Sequence, residues 1–343
     1  MNIYAADEWA HSGKIDTMPL SEPTHRRPLI IRLCNMVGDV VLGLPALKLL
    51  QAQGYDLHLY GKGWATSLLD GHGWPCTVRA RTLIERVQQL RNLRKHCAAI
   101  DPSFTQRPNM LVMPNSFSSA FEGRWAGLRP CGYARDGRSP LLHHAWKPAP
   151  PPEHALQGFW GLACRLTGQQ ANPPASIELA ISLTAQARAD QLLAQHGVRP
   201  DFICIVPFAA GDVDGKDKRW PHFSAFTKSI LSSDLDVVVC PGPGEEAIAL
   251  SDHAGAICLP GLDLGTYSGL LKRARLVVSN DTGPAHMVAA VGTPVLSVLG
   301  PTKPEQWAPW GPRVSIVRGS TSLWPSVDEV TTQLAACLKQ HET

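Results

Sequence analysis

A chain of 343 residues, 44% hydrophobic and 18% charged, is long enough for two domains at about 100 to 200 residues each and is neither disordered nor fibrous. Its formal charge of +3 speaks against nucleic acid as a partner but leaves room for a local basic cluster facing a phosphorylated or anionic-lipid acceptor. No segment reaches the roughly 18 uninterrupted apolar residues of a membrane span, and nine cysteines, an odd total with no CxxC pair, read as reduced thiols and exclude a disulfide framework or zinc site.

Residues 1–27 carry little hydrophobic periodicity and no signal-peptide core, so they are expected to be a poorly ordered extension of a cytoplasmic protein. The first half then opens with the β-rich run LIIRLC (29–34) and the segment NMVGDVVLGLPALKLLQAQG, in which Val41, Leu44, Leu47 and Leu50 recur at helical spacing. Further strands are predicted at 56–60, 77–80 and 110–115, with a helical pattern over 82–95. Strands alternating with helices imply a parallel sheet covered by helices.

Between about 140 and 178 the chain is rich in Pro, flanking the helical segment HALQGFWGLACRLTG; this stretch closes the first domain, predicted over 28–178. A second series of nearly continuous apolar runs follows at 202–208, 236–242, 256–261, 276–281, 294–300 and 314–319, as expected of strands buried on both faces. The second domain is predicted over 179–325, and residues 326–343 as a C-terminal helix packing back toward the first domain. The expected fold class is α/β, two doubly wound Rossmann-like domains facing a cleft, with ligands beyond the carboxyl ends of the strands.

Polar residues cluster at several of those ends. Gly38 and Asp39 stand where the first strand gives way to a helix, where a carboxylate serves either as a helix-start charge or as a general base. In GDVDGKDKRWPHF (211–223), Lys216, Lys218 and Arg219 precede Trp220 and Pro221, read as a basic loop before a helix with Pro at its first position; it suits a diphosphate or is simply solvated. In CPGPGEEAIAL (240–250), Glu245 and Glu246 open a helix and either hydrogen-bond ribose hydroxyls or complement the helix dipole. Neither GxGxxG nor GxxxxGK[ST] occurs, which removes support for hydride transfer and P-loop hydrolysis. The densest cluster is SNDTGPAH (279–286), where the backbone around Thr282, Gly283, Pro284 and Ala285 forms a helix N-terminus suited to an anion, flanked by Asp281 and His286.

The segments GDVVLGLPAL, MPNSFSSAFEGRWAGLRPCGYARDGR, KRWPHF, PGPGEE and SNDTGPAHMVAAVGTPVLSVLGPTKP, standing in this order, resemble glycosyltransferase family 9, the heptosyltransferases of lipopolysaccharide core synthesis. The resemblance implies a GT-B fold and an inverting transfer without a catalytic metal or cofactor, from a nucleotide-diphosphate sugar, typically ADP-heptose, to a lipid-linked or soluble oligosaccharide acceptor. It implies a cytoplasmic enzyme, with peripheral contact at the inner membrane as one alternative. Asp39 then matches the general base, Lys218 a diphosphate ligand, Glu245 a ribose ligand with Glu246 as its neighbour, and Asp281, Thr282, Gly283 and His286 the loop holding diphosphate and donor sugar. Leu262 falls near the nucleobase position. The chain departs from the pattern at Ala209, Ala210 and Gly211, where relatives often place hydroxyl residues. For the acceptor, Arg32, Lys62, Arg124, Arg129 and Arg138, with Ser116 and Ser118, are candidates to meet phosphate or Kdo carboxylate groups. The alternatives are another donor sugar, a protein acceptor, or a non-catalytic nucleotide-sugar-binding protein.

Overall fold

The structure is a computed structural model, and it describes residues 27–150, 153–320 and 323–340; the expected N-terminal extension lies almost wholly outside the described residues. The first half contributes strands β1 (Arg27–Arg32), β2 (Tyr55–Gly61), β3 (Cys76–Val78), β4 (Met110–Val112), β5 (Pro130–Tyr133) and β6 (His144–Trp146), with helices α1 (Val37–Leu42), α2 (Leu44–Ala52), α3 (Trp64–Leu69), α4 (Leu83–Ile100), α5 (Phe117–Trp125) and α6 (Ala155–Thr167). The second half contributes β7 (Ile203–Val206), a small hairpin of β8 (Asp212–Val213) and β9 (Lys216–Asp217), then β10 (Val237–Val239), β11 (Ile257–Cys258), β12 (Leu276–Asn280), β13 (Val295–Val298) and β14 (Val314–Val317). Its helices are α7 (Leu183–Gln195), α8 (Phe223–Ile230), α9 (Glu246–Asp252), α10 (Leu264–Arg273), α11 (Gly283–Val291), α12 (Pro304–Trp307) and α13 (Val327–Gln340).

The two large sheets share one plan. Their strand orders, β3-β2-β1-β4-β5-β6 and β11-β10-β7-β12-β13-β14, are the same six-strand Rossmann order, and every pairing within them is parallel. The strand order reverses between β1 and β4 in the first sheet and between β7 and β12 in the second. A crevice opens at such a point because the crossovers from the two neighbouring strands run to opposite faces. β5 and β6 are additions to the predicted strands: PCGY and HAW are short, and Pro and Gly read as turn rather than strand.

The chain crosses between halves after α6, which packs on α2 and α1, and before α7, which packs on α10. One apolar cluster runs through both halves, joining Leu33, Val41 and Met113 to Leu270, Met287 and Val288. Two glycine contacts bring the halves together. A Cβ on Gly38 would lie 2.7 Å from the His286 ring, and one on Gly283 would lie 2.9 Å from the Val37 Cβ, so α1 and α11 meet at a distance that only glycine permits.

The C-terminal helix corrects an expectation. α13 packs on α8, β13 and β14 of the second sheet, not back on the first domain. Val330, Leu334 and Cys337 lie on one apolar stripe and join the second half's own core with Val298 and Val317, which leaves that helix no apolar face to offer the first domain. Among the described residues no helix is long and apolar enough to cross a membrane.

Candidate active site

The two reversal points face each other. From the first half, the end of β1 supplies Cys34, Asn35, Met36 and Asp39, and the end of β4 supplies Met113, Pro114, Asn115 and Ser116. With Arg135, Glu153, His154, Gln306 and Trp307 they line a cleft of about 660 Å³. From the second half, the loops after β7 and β12 bring Lys218 and Asp281 together with a 2.7 Å ion pair.

Asp39 is the acidic residue of the first turn of α1, where its charge suits the helix dipole. Burial pushes its carboxyl above the ordinary carboxylate range, and the nearby Lys218 charge pulls it partly back. It is therefore a stronger base than a solvated aspartate, and the cation that restrains it comes from the opposite half.

Lys218 owes its position to the loop before it. Asp214 and Gly215, both with positive φ, form the tight turn of the β8/β9 hairpin, as expected of an Asp-Gly pair. Beyond it, Trp220 donates its backbone N–H to Asn280 Oδ1 at 3.0 Å and its indole N–H to Pro325 O at 2.9 Å, while Asn280 Nδ2 reaches back to Pro207 O. Asn280 thus ties the loop after β7 to the end of β12. Two expectations for this loop need correction. Pro221 is not the first residue of a helix, since α8 begins at Phe223, and the Arg219 guanidinium is bound to Asp217 at 2.7 Å rather than free for a diphosphate.

The strongest sequence cluster divides into two groups. Thr282 is the N-cap of α11 but makes no side-chain cap, and Pro284 stands in the first turn, so the backbone of Thr282 and Gly283 presents a half-exposed helix N-terminus. Asp281 and His286 are instead buried. Asp281 Oδ2 accepts from Lys218 Nζ and, at 2.7 Å, from Thr302 Oγ1. His286 lies against Gly38, its Nδ1 lacks a hydrogen-bond partner among the described residues, and burial lowers its pKa to about 4, so it is neutral at physiological pH. A sugar ligand reaches neither without movement, because His286 is covered by Gly38 of the first half and Asp281 is buried beneath Lys218 and Thr302.

The remaining donor-side candidates sit along the same edge. Glu245 Oε2 accepts from Gly242 N and Glu246 Oε2 from Gly244 N, both at 2.8 Å, so each carboxylate closes the turn before α9. Leu262, half-buried, follows β11 at the far end of the edge.

On the acceptor side, Ser116 lines the cleft and caps α5, and its hydroxyl lies 2.9 Å from that of Ser118. Arg32 does not belong in a direct acceptor role: it is 1% exposed, and its guanidinium donates to Leu33 O and, at 3.0 Å, to Asn35 Oδ1. Burial pushes it down to about 10, still charged at neutral pH. Arg138, fully buried, donates to Tyr133 O at 2.8 Å, to Pro114 O and to Asn115 Oδ1 at 3.2 Å, so it too is spent within the protein. Arg32 ends β1 and Arg138 lies in the loop after β5, and the burial of both escapes a reading of charge alone. Lys62 and Arg124 are exposed and Arg129 is half-exposed, all outside the cleft lining; Arg124 and Arg129 stand near His143. His154 and Thr302, not singled out in the sequence, and Asn280, within SNDTGPAH but given no role there, connect the site: His154 caps α6 through Nδ1 and donates from Nε2 to Ala308 O at 3.0 Å, linking the halves.

Residues 107–336, more than half of the chain, match the family model described as glycosyltransferase family 9 (heptosyltransferase). The chain belongs to glycosyltransferase family 9. Among this enzyme's relatives, lipooligosaccharide heptosyltransferase 2 of Haemophilus ducreyi is 27% identical over 322 residues, covering 83% of this chain and 86% of that protein. Among solved structures, Escherichia coli ADP-heptose LPS heptosyltransferase II superposes with a TM-score of 0.75 at 21% identity, covering 92% of this chain and all of that one. E. coli heptosyltransferase WaaC with ADP follows at a TM-score of 0.67 and 20% identity, over 90% and 99% of the two chains. The family 9 fold is thus GT-B, and the protein is a glycosyltransferase. Among its described residues no group of three or more His, Cys, Asp or Glu side chains is placed to hold a metal ion.

Proposed function

We propose that this enzyme transfers a heptose from ADP-heptose to a lipopolysaccharide core or related glycan, inverting the anomeric centre, with Asp39 as general base. The observation that carries the reading is the pairing across the cleft: a carboxylate of raised basicity in the first half faces Lys218 and the α11 N-terminus in the second. The named activities of the relatives, which include heptosyltransferases of lipooligosaccharide and lipopolysaccharide, supply the sugar and acceptor class.

In this reading the donor diphosphate meets the backbone N–H groups at Thr282 and Gly283, where unpaired donors and helix dipole favour an anion. Lys218 shares its ammonium between Asp281 and the diphosphate and offsets the charge that grows on the leaving group as the anomeric carbon–oxygen bond breaks, a part that needs no metal. Glu245 releases Gly242 to take ribose hydroxyls, and Leu262 packs on the base. The acceptor oxygen attacks the anomeric carbon from the face opposite the leaving diphosphate and yields its proton to Asp39 late, as the new bond forms. Asp281 and His286, lying beneath this surface, hold Lys218 and space α1 from α11.

The acceptor enters from the first half, and the face beside that entrance supports a peripheral contact with the cytoplasmic side of the inner membrane. Phe117, Phe121 and Trp125 form an exposed stripe along α5, with Arg124 among them. Incubating the protein with ADP-heptose, UDP-sugars and GDP-sugars and a panel of truncated core acceptors, followed by mass spectrometry, tests the reading. A gain of one heptose on a core acceptor, from ADP-heptose alone, is expected; transfer of another sugar, or only to protein, would replace it, and binding without transfer would make this a nucleotide-sugar-binding protein.

A further inference from the structure

Trp307 is a large apolar side chain that the second half sends into the cleft. It is 47% exposed, and among the described residues it and Gln306 are the only second-half lining of a cleft otherwise built by the first half. Among the described residues its indole N–H has no hydrogen-bond partner and its ring no aromatic neighbour. Trp310, three residues on, differs: it donates to Pro174 O at 2.9 Å and lies against His154.

The backbone beneath Trp307 is pinned on both sides. Before α12, Thr302 Oγ1 donates to Asp281 Oδ2 at 2.7 Å, the same oxygen that Lys218 holds. Within α12, Trp307 N donates to Lys303 O at 3.1 Å and Ala308 N to Pro304 O at 3.0 Å. Beyond it, Ala308 O accepts from His154 Nε2 of the first half at 3.0 Å. The segment from Thr302 to Trp310 is therefore a strap that starts beside the donor-side lysine and ends on the first half. A backbone so held leaves little to order when a ligand arrives, and an indole adds only two side-chain torsions.

The cleft around it has apolar walls, supplied by Met36, Met113, Phe159, Pro148 and Ala149, and Asp39 lines the same space. A sugar ring carries hydroxyls at its edge and C–H groups on its faces, and the slightly positive C–H groups suit the negative face of an aromatic ring. An indole supplies that face and one N–H donor, and the Gln306 carboxamide next to it supplies both donor and acceptor for hydroxyls. Among the described residues neither Lys218 nor Thr282 lines this cleft, so the ring beside the indole is the acceptor's and not the donor's.

We propose that Trp307 stacks against a pyranose ring of the acceptor and holds its attacking hydroxyl toward Asp39. The inference rests on the reading of this cleft as the acceptor's place and of Asp39 as the base, and adds that the second half supplies the stacking platform. Contact through C–H groups selects for ring shape and is indifferent to charge.

The test uses the full chain with ADP present and a soluble Kdo disaccharide as probe, measured by calorimetry on wild type, Trp307→Phe and Trp307→Leu. Leucine keeps apolar bulk without an aromatic face, so that variant is expected to bind the disaccharide about 10-fold more weakly than wild type, while the Phe variant stays within about 3-fold. Tm and ADP affinity are expected to hold in both. The emission of Trp307, read as the difference between wild type and Trp307→Phe, is expected to become less accessible to acrylamide once the disaccharide binds. Leu binding as tightly as wild type, Phe losing as much as Leu, no binding by wild type, or unchanged quenching would each overturn the platform. So would a loss confined to ADP-heptose, which would give the indole to the donor. Heptosyl transfer measured alongside keeps the readings apart: transfer with equal affinities in all three proteins removes the platform alone, and Trp307-dependent binding without transfer removes the reaction alone.

Discussion

Lys218 acts on Asp39, although the two are 179 positions apart in the sequence numbering, because the fold places the ends of β1 and β7 on one cleft. In the proposed role of general base Asp39 works only when deprotonated, so that reading predicts activity lost as pH falls through its pKa, which burial places above the ordinary value of about 3.9. Lys218→Met removes the charge that lowers it. The acid limb of kcat/KM against pH is therefore expected to move upward in that variant, with weaker donor binding besides; a limb that stays in place would show that Lys218 does not act on Asp39. Asp281 is a different kind of carboxylate, occupied by Lys218 and Thr302. Its substitution by Ala is expected to raise the donor KM through a displaced Lys218, an effect read in the same assay.

Helices α1 and α11 meet through their first turns at a contact made of Gly38, His286, Gly283 and Val37. Gly38→Ala places a methyl against the His286 ring, and such overpacking costs about 1–3 kcal/mol. Thermal unfolding is expected to show that loss and to recover most of it when His286→Ala is added, since the clash then has no partner. Additive losses would place the strain elsewhere. Much of this level was legible in the sequence: the apolar strand runs, Asp39 at the start of a helix, and the SNDTGPAH turn all stand where strand ends and helix starts were expected. What escaped depended on partners distant in the chain. Nothing local distinguishes the buried Arg32 and Arg138 from the exposed Arg124, because burial of a charge is decided by the carbonyls and amides that fold around it. Likewise Pro221 and Arg219 sat in a plausible helix start, but Arg219 finds Asp217 two residues away and the helix begins later.

The molecule is two similar Rossmann units joined by a shared apolar seam, with the crossing latched where His154 of one half meets Ala308 of the other and its ring lies tilted against Trp310 at 4.9 Å. Burial holds His154 below its ordinary pKa of about 6.5. Its folded form is therefore favoured above that pH, and the stability it contributes is lost as pH falls below it, when the unfolded chain takes up the proton more readily. Melting temperatures from pH 7.5 to 5 are expected to fall more for wild type than for His154→Gln; parallel curves would remove the latch. In the proposed function the cleft between the halves is where donor and acceptor meet, and its central feature is the Asp39 carboxylate supplied by the first half. The most direct measurement is turnover of ADP-heptose with a core acceptor by wild type and Asp39→Asn, with ADP affinity determined for both. The expected result is a loss of at least about 10²-fold in kcat with ADP affinity nearly unchanged; turnover equal to wild type would contradict the assignment of Asp39 as the base.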